Sequence, residues 1–136
     1  MASLSTLRFD LALRDYTING HSLLEHLAKH EGDWVKMNQP ALGVQPQARA
    51  RLLGEAAADL TDGHVALYVC GLCGGYDGSP IGTRVVFEEQ VVVWEDMGTY
   101  DEGDDVWRPF AKVRGYRFDR AEYIAALQAF VGDISF

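Results

Sequence analysis

Apolar and polar positions alternate from Leu7 to Leu13, with Leu7, Phe9, Leu11 and Leu13 falling on one face. That period of two predicts a half-buried strand. A second short strand is expected around Tyr16 to Ile18, before the tight-turn pair Asn19-Gly20. Ser22-Leu23-Leu24-Glu25 has the S-x-x-E capping pattern, so a helix is predicted from Leu23 to His30, stopped by Gly32. Pro46 suits the first position of a second helix running to Ala58, with Leu52 and Leu53 as anchors and Gly54 as a weak point. Val65 to Cys70 reads as a strand followed by a glycine-rich stretch, Gly71 to Gly78. Thr83 to Glu88 and Val91 to Glu95 read as a hairpin around Glu89-Gln90, with Phe87 and Trp94 anchoring opposite layers. An acidic loop and one or two short strands between Phe110 and Phe118 come next. Asp119-Arg120-Ala121-Glu122 is a second capping box, opening a helix with Tyr123, Ile124, Leu127, Phe130 and Val131 on one face. This order predicts a single α+β domain over residues 1–136: a mostly antiparallel sheet, about three helices, and the C-terminal helix packed on the sheet.

Composition narrows the class. At 136 residues, 48% hydrophobic and 24% charged, the chain can bury one core and has no run of about 20 apolar residues to span a membrane. Its first residues lack a basic region followed by an apolar run, and its two cysteines cannot build a secreted disulfide scaffold. A cytoplasmic protein without membrane partners is the expectation.

The charge distribution adds more. The formal net charge is -8, and the acids Glu88, Glu89, Glu95, Asp96, Asp101, Glu102, Asp104 and Asp105 all lie between Arg84 and Arg108 with no base among them. The remainder of the chain balances. Nucleic acid is therefore an unfavoured partner, because phosphate binding rests on a basic surface. A basic protein would be attracted to the acidic segment. Tyr100 and Trp107 in that segment supply residue types enriched at binding hot spots. Glu95, Asp96, Tyr100, Asp101, Glu102, Asp104, Asp105 and Trp107 are thus the candidate partner-binding residues.

Catalytic chemistry has less support. No G-x-S-x-G, phosphate loop or dinucleotide fingerprint is present, and no catalytic residue is assigned. Cys70-x-x-Cys73 is followed by glycines and Pro80, which oppose the helix that a thioredoxin-like motif requires. As half of a zinc site it would need two more ligands, of which His64 is one candidate. His26 and His30 are spaced i, i+4 but lack the glutamate of H-E-x-x-H, and a histidine rimming the core explains His30.

Four stretches carry a resemblance. Gly54-Glu55 with Gly63 to Gly74, Val93-Trp94-Glu95-Asp96, Gly115 to Tyr123 with Ala126-Leu127, and Gly20 before Leu23-Leu24 together resemble a family of small, mostly uncharacterised bacterial proteins. Where relatives often carry a third cysteine, this chain has Gly78-Ser79. In general type, as a small acidic α+β protein, the chain is similar to immunity proteins that neutralise bacterial toxins. The leading expectation is a non-catalytic inhibitor without a cofactor, acting on a basic toxin or enzyme encoded nearby. The alternative is a small zinc or redox protein centred on Cys70, Cys73 and His64.

Overall fold

The computed structural model describes residues 3–130. Strand β1 (Leu7–Asp10) pairs antiparallel with β2 (Asp15–Ile18), Leu7 facing Ile18 and Asp10 facing Asp15. β1 is shorter than the alternation predicts. Asp10 Oδ1 accepts the N–H groups of Ala12 at 2.9 Å and Leu13 at 3.0 Å, which turns the chain and leaves Leu11 and Leu13 exposed. A local carboxylate–amide turn outcompetes strand extension there. Asn19 and Gly20 take φ of 53° and 84°, the left-handed pair of a two-residue hairpin, and lead into β3 (His21–Ser22).

Helix α1 (Leu23–Glu31) starts as its capping box predicts, with Ser22 Oγ accepting the Glu25 N–H at 3.1 Å, and it ends at Gly32. The Ser22 hydroxyl in turn donates to Asp15 Oδ2 at 2.6 Å. Asp15 is buried, and its carboxylate also accepts from the Tyr68 hydroxyl at 2.6 Å and the Leu24 N–H at 3.1 Å. Three donors offset the desolvation of that carboxylate and tie together β2, α1 and the central sheet.

Strand β4 (Asn38–Pro40) and helix α2 (Ala48–Leu52) follow. The helix expected over 46–58 shrinks to one short turn, because Gly54 adopts φ of 74° and breaks it. The larger sheet comprises β4, β5 (His64–Cys70), β6 (Ile81–Phe87), β7 (Val91–Asp101) and β8 (Val106–Pro109) in that order, with β9 (Tyr116–Asp119) also on β7. Each pair of these strands is antiparallel, and an isolated parallel bridge joins Ser5 to Phe118 of β9. The expected acidic loop is not a loop: β7 runs through Glu95 to Asp101, and only residues 102–105 turn before β8.

β7 pairs with β9 over Val91–Trp94 and with β8 over Gly98–Asp101, while β6 lies along its other edge. Phe87 and Trp94 do not anchor opposite layers. Val85 faces Trp94 in the ladder and Phe87 lies two residues from Val85, so both rings share one face and meet Tyr123.

Helix α3 (Arg120–Gln128) is capped by Asp119, whose carboxylate accepts the Glu122 N–H at 3.0 Å. Tyr123, Leu127 and Phe130 are buried and Ile124 partly so; Val131 lies outside the described residues. The Tyr123 hydroxyl donates to the Leu52 carbonyl at 2.6 Å and accepts the Trp94 indole N–H at 3.1 Å, which joins α3 to α2 and β7. Phe130 meets Phe9 edge-on at 4.8 Å, so the C-terminal helix packs on both sheets. Among the described residues no helix is long and apolar enough to cross a membrane.

Candidate functional site

The acidic segment is shaped by a bulge. Between the ladder pairs Arg84–Glu95 and Gly82–Gly98, Thr83 alone stands opposite both Asp96 and Met97. Asp96 takes the left-handed φ of 52°, a conformation that aspartate tolerates better than most residues. The Thr83 hydroxyl fixes the kink by donating to the Glu95 carbonyl at 2.8 Å. The bulge lies where β7 exchanges β9 for β8, and Asp96 meets groups from neighbouring strands there. Its Oδ2 lies 2.9 Å from His64 Nε2 and 3.5 Å from Arg84 Nη1. His64 is fully buried, and its Nδ1 lies 2.7 Å from the Thr61 carbonyl, so the ring faces an acceptor on each side. Trp107 of β8 stacks on that ring, with centroids 3.7 Å apart, and its indole N–H donates to the Asp96 carbonyl at 3.2 Å.

The far end of the hairpin is organised around Arg108. Its Nε donates to Asp101 Oδ2 at 2.8 Å and its Nη2 to Asp104 Oδ2 at 2.7 Å. The Asp104 N–H donates to the other Asp101 oxygen at 3.2 Å, and the Tyr100 hydroxyl donates to Asp105 Oδ1 at 2.6 Å. Arg108 therefore holds the Asp101 carboxyl below the usual aspartate range, and the same pair raises the guanidinium. The hydrogen bond to Asp105 pushes the Tyr100 phenol up. These groups lie at the surface, where solvent screens such pairs and limits their value to stability. Glu102 carries no ion pair among the described residues, and it stands exposed with Asp104 and Asp105.

The residues expected to bind a partner thus separate into two groups and a lone Glu95. Tyr100, Asp101, Glu102, Asp104 and Asp105 come together at the tip. Asp96 and Trp107 lie at the base, where Trp107 is half-buried and braces β8 rather than projecting. Glu95 is exposed, bordering a surface depression of about 420 Å³ shared with Arg114 and Arg117. Of the expected metal ligands, Cys70 and Cys73 share one turn, but His64 is not brought to them. His64 and Cys70 are the two ends of the seven-residue β5, about 20 Å apart at the rise of an extended strand. Arg84, Arg108 and Thr61 complete the site and carry no motif. The signal for the two arginines was their position flanking the acid-rich run, which strand pairing folds back onto the carboxylates.

No family model, curated protein or solved structure matches this chain.

Proposed function

We propose that the chain is a non-catalytic protein-binding module, an inhibitor of immunity-protein type that occludes a basic toxin or enzyme with the acidic end of the β7–β8 hairpin. The observation that carries this reading is the bracing of that end. Arg108 ties Asp101 to Asp104, Tyr100 holds Asp105, and Trp107 fastens the base to His64. Glu102, Asp104 and Asp105 are thereby displayed on a framework that is already ordered, which reduces the entropy lost on association. Acids facing solvent at fixed spacing can stand in for the anionic groups of a partner's substrate. They also steer encounter, an effect of about 10- to 1,000-fold in rate that falls with salt. The contact residues are Glu102, Asp104, Asp105 and the half-buried Tyr100. Asp96, Asp101 and Trp107 act by holding the shape. Two free thiols fit a reducing, cytoplasmic setting.

The test is co-expression of the tagged chain with the product of the adjacent gene. The reading expects a one-to-one complex that forms at low ionic strength, loosens with salt and leaves the neighbour's activity blocked. A neighbour that neither co-purifies nor loses activity would overturn it.

A further inference from the structure

Two histidines of helix α1 take no part in the hydrogen-bond network of the fold. Leu23, Leu27 and Ala28 form the buried face of this helix, and the Ser22 cap fixes where it starts. That orientation sends His26 to the surface and leaves His30 half-buried one turn further on. Residues four apart on a helix are neighbours, with Cβ atoms about 5–6 Å apart. Here the two imidazoles meet edge-on, with ring centres 4.6 Å apart and planes at 66°. Their ring nitrogens are unclaimed. Among the described residues neither ring enters a hydrogen bond or an ion pair, whereas both nitrogens of His64 face acceptors. The neighbouring acids of the helix are engaged elsewhere. Glu25 pairs with Lys36 at 3.2 Å, and Glu31 Oε2 accepts the N–H groups of Lys112 at 3.1 Å and Val113 at 2.9 Å.

We propose that His26 and His30 form a two-imidazole chelate for a late divalent transition-metal ion, Ni(II) or Cu(II), bound in adjacent coordination positions. The class of ion follows from the donors and their spacing. Imidazole suits the late first-row ions, whereas calcium and magnesium take oxygen ligands. With metal–nitrogen bonds of about 2.0–2.1 Å, two imidazoles at right angles around one ion have ring centres about 4.5 Å apart, against about 5 Å for a tetrahedral pair. The observed 4.6 Å matches the right-angle spacing, which tetragonal and octahedral Ni(II) and Cu(II) use. The helix backbone holds both rings on one flank, so the second bond to the ion forms as an intramolecular event at high effective concentration. Each ring gives the lone pair of its unprotonated nitrogen and displaces one water from the ion. The remaining positions go to water, since among the described residues no third His, Cys, Asp or Glu completes a cluster. Lys29 lies between the two histidines in sequence, but its side chain is exposed and extends freely into solvent. The site uses no residue of the β7–β8 hairpin and stands independently of the inhibitor reading.

The experiment is a calorimetric titration of the reduced, untagged full chain with Ni(II), with paramagnetic broadening of amide NMR signals to locate the ion. The expected result is one Ni(II) per chain, with broadening centred on Leu23–Glu31. His26→Gln and His30→Gln place a good helix former at each position and should each weaken binding by more than about tenfold, because a single imidazole cannot chelate. His21→Gln and the Cys70→Ser/Cys73→Ser double variant should bind as wild type does. Bound Ni(II) should also raise the thermal midpoint of the wild-type chain and leave that of His26→Gln where it was, since the chelate exists only in the folded helix. No uptake, or uptake that survives both histidine substitutions, would overturn the proposal. Loss of uptake in the double serine variant with a native circular dichroism spectrum would overturn it as well, by placing the ion at the turn after β5.

Discussion

Tyr123 shows what one side chain does in this molecule. Its hydroxyl satisfies two buried groups, the Trp94 indole N–H and the Leu52 carbonyl, in a place water does not reach. Tyr123→Phe keeps the ring and strands both partners, and each unsatisfied group costs about 1–3 kcal/mol. Urea denaturation should show a lower midpoint with an unchanged slope, and an unchanged midpoint would contradict the bonding seen here. Tyr16, Tyr68 and Tyr123 are also raised well above the ordinary tyrosine range, in each case chiefly by burial. The direction of the pH effect follows. Below about pH 10 the unfolded chain and the native state both keep these protons, and the contribution to stability is constant. Above it the unfolded chain releases them while the native state does not, so stability falls by about 1.4 kcal/mol per pH unit for each tyrosine. The tyrosinate absorbance of these three buried phenols should therefore appear together with the loss of circular dichroism in one cooperative alkaline transition. Smooth titration of all six tyrosines with the fold intact would contradict this.

At the level of elements, what could be read in the sequence was what is local. The caps at Ser22 and Asp119 act within one helical turn, and both helices start where those residues predict. The first strand and second helix came out shorter because equally local features cut them: the Asp10 turn and the left-handed Gly54. β8 was hidden because Val106–Pro109 is four residues long, includes a proline, and pairs with a strand whose end looked like solvated acid. Its pairing depends on Gly98, where a Cβ would fall 2.3 Å from the Arg108 carbonyl. Gly98→Ala should detach β8 while the core persists. Hydrogen exchange would then accelerate over Val106–Pro109 and the fluorescence of Trp107 would change; protection equal to wild type would show that the pairing can absorb a methyl group. α3 gives the opposite case. Burial of Tyr123, Leu127 and Phe130 is worth about 1.5–3 kcal/mol per side chain before entropy is subtracted, against a total of about 5–15 kcal/mol for a domain. Truncation after Asp119 should abolish cooperative unfolding, and a surviving native-like transition would refute that role.

Across the whole molecule the question is how much of the linear charge count survives folding. The run of eight acids between Arg84 and Arg108 looked uncompensated in sequence, yet strand pairing returns Arg84 to Asp96 and Arg108 to Asp101 and Asp104. Contacts of that kind depend on ladder register, and no spacing in the chain announces them. The acids consequently divide by task, and variants can separate the tasks. Glu102 and Asp105 make no ion pair among the described residues, so Glu102→Gln with Asp105→Asn should leave stability within about 0.5 kcal/mol, the usual range for surface changes. Under the inhibitor reading the same pair of changes should slow association with the partner and flatten its salt dependence, with dissociation little altered. Asp101→Asn should act differently. It frees Arg108 from one of its two carboxylates and loosens the frame, so the tip loses order and dissociation quickens. Stopped-flow binding to the co-purified neighbour at two ionic strengths distinguishes the two effects. If the Glu102/Asp105 variant associates at the wild-type rate in low salt, the exposed acids do not steer the encounter, and the hairpin must bind through its backbone edge and Tyr100 or not at all.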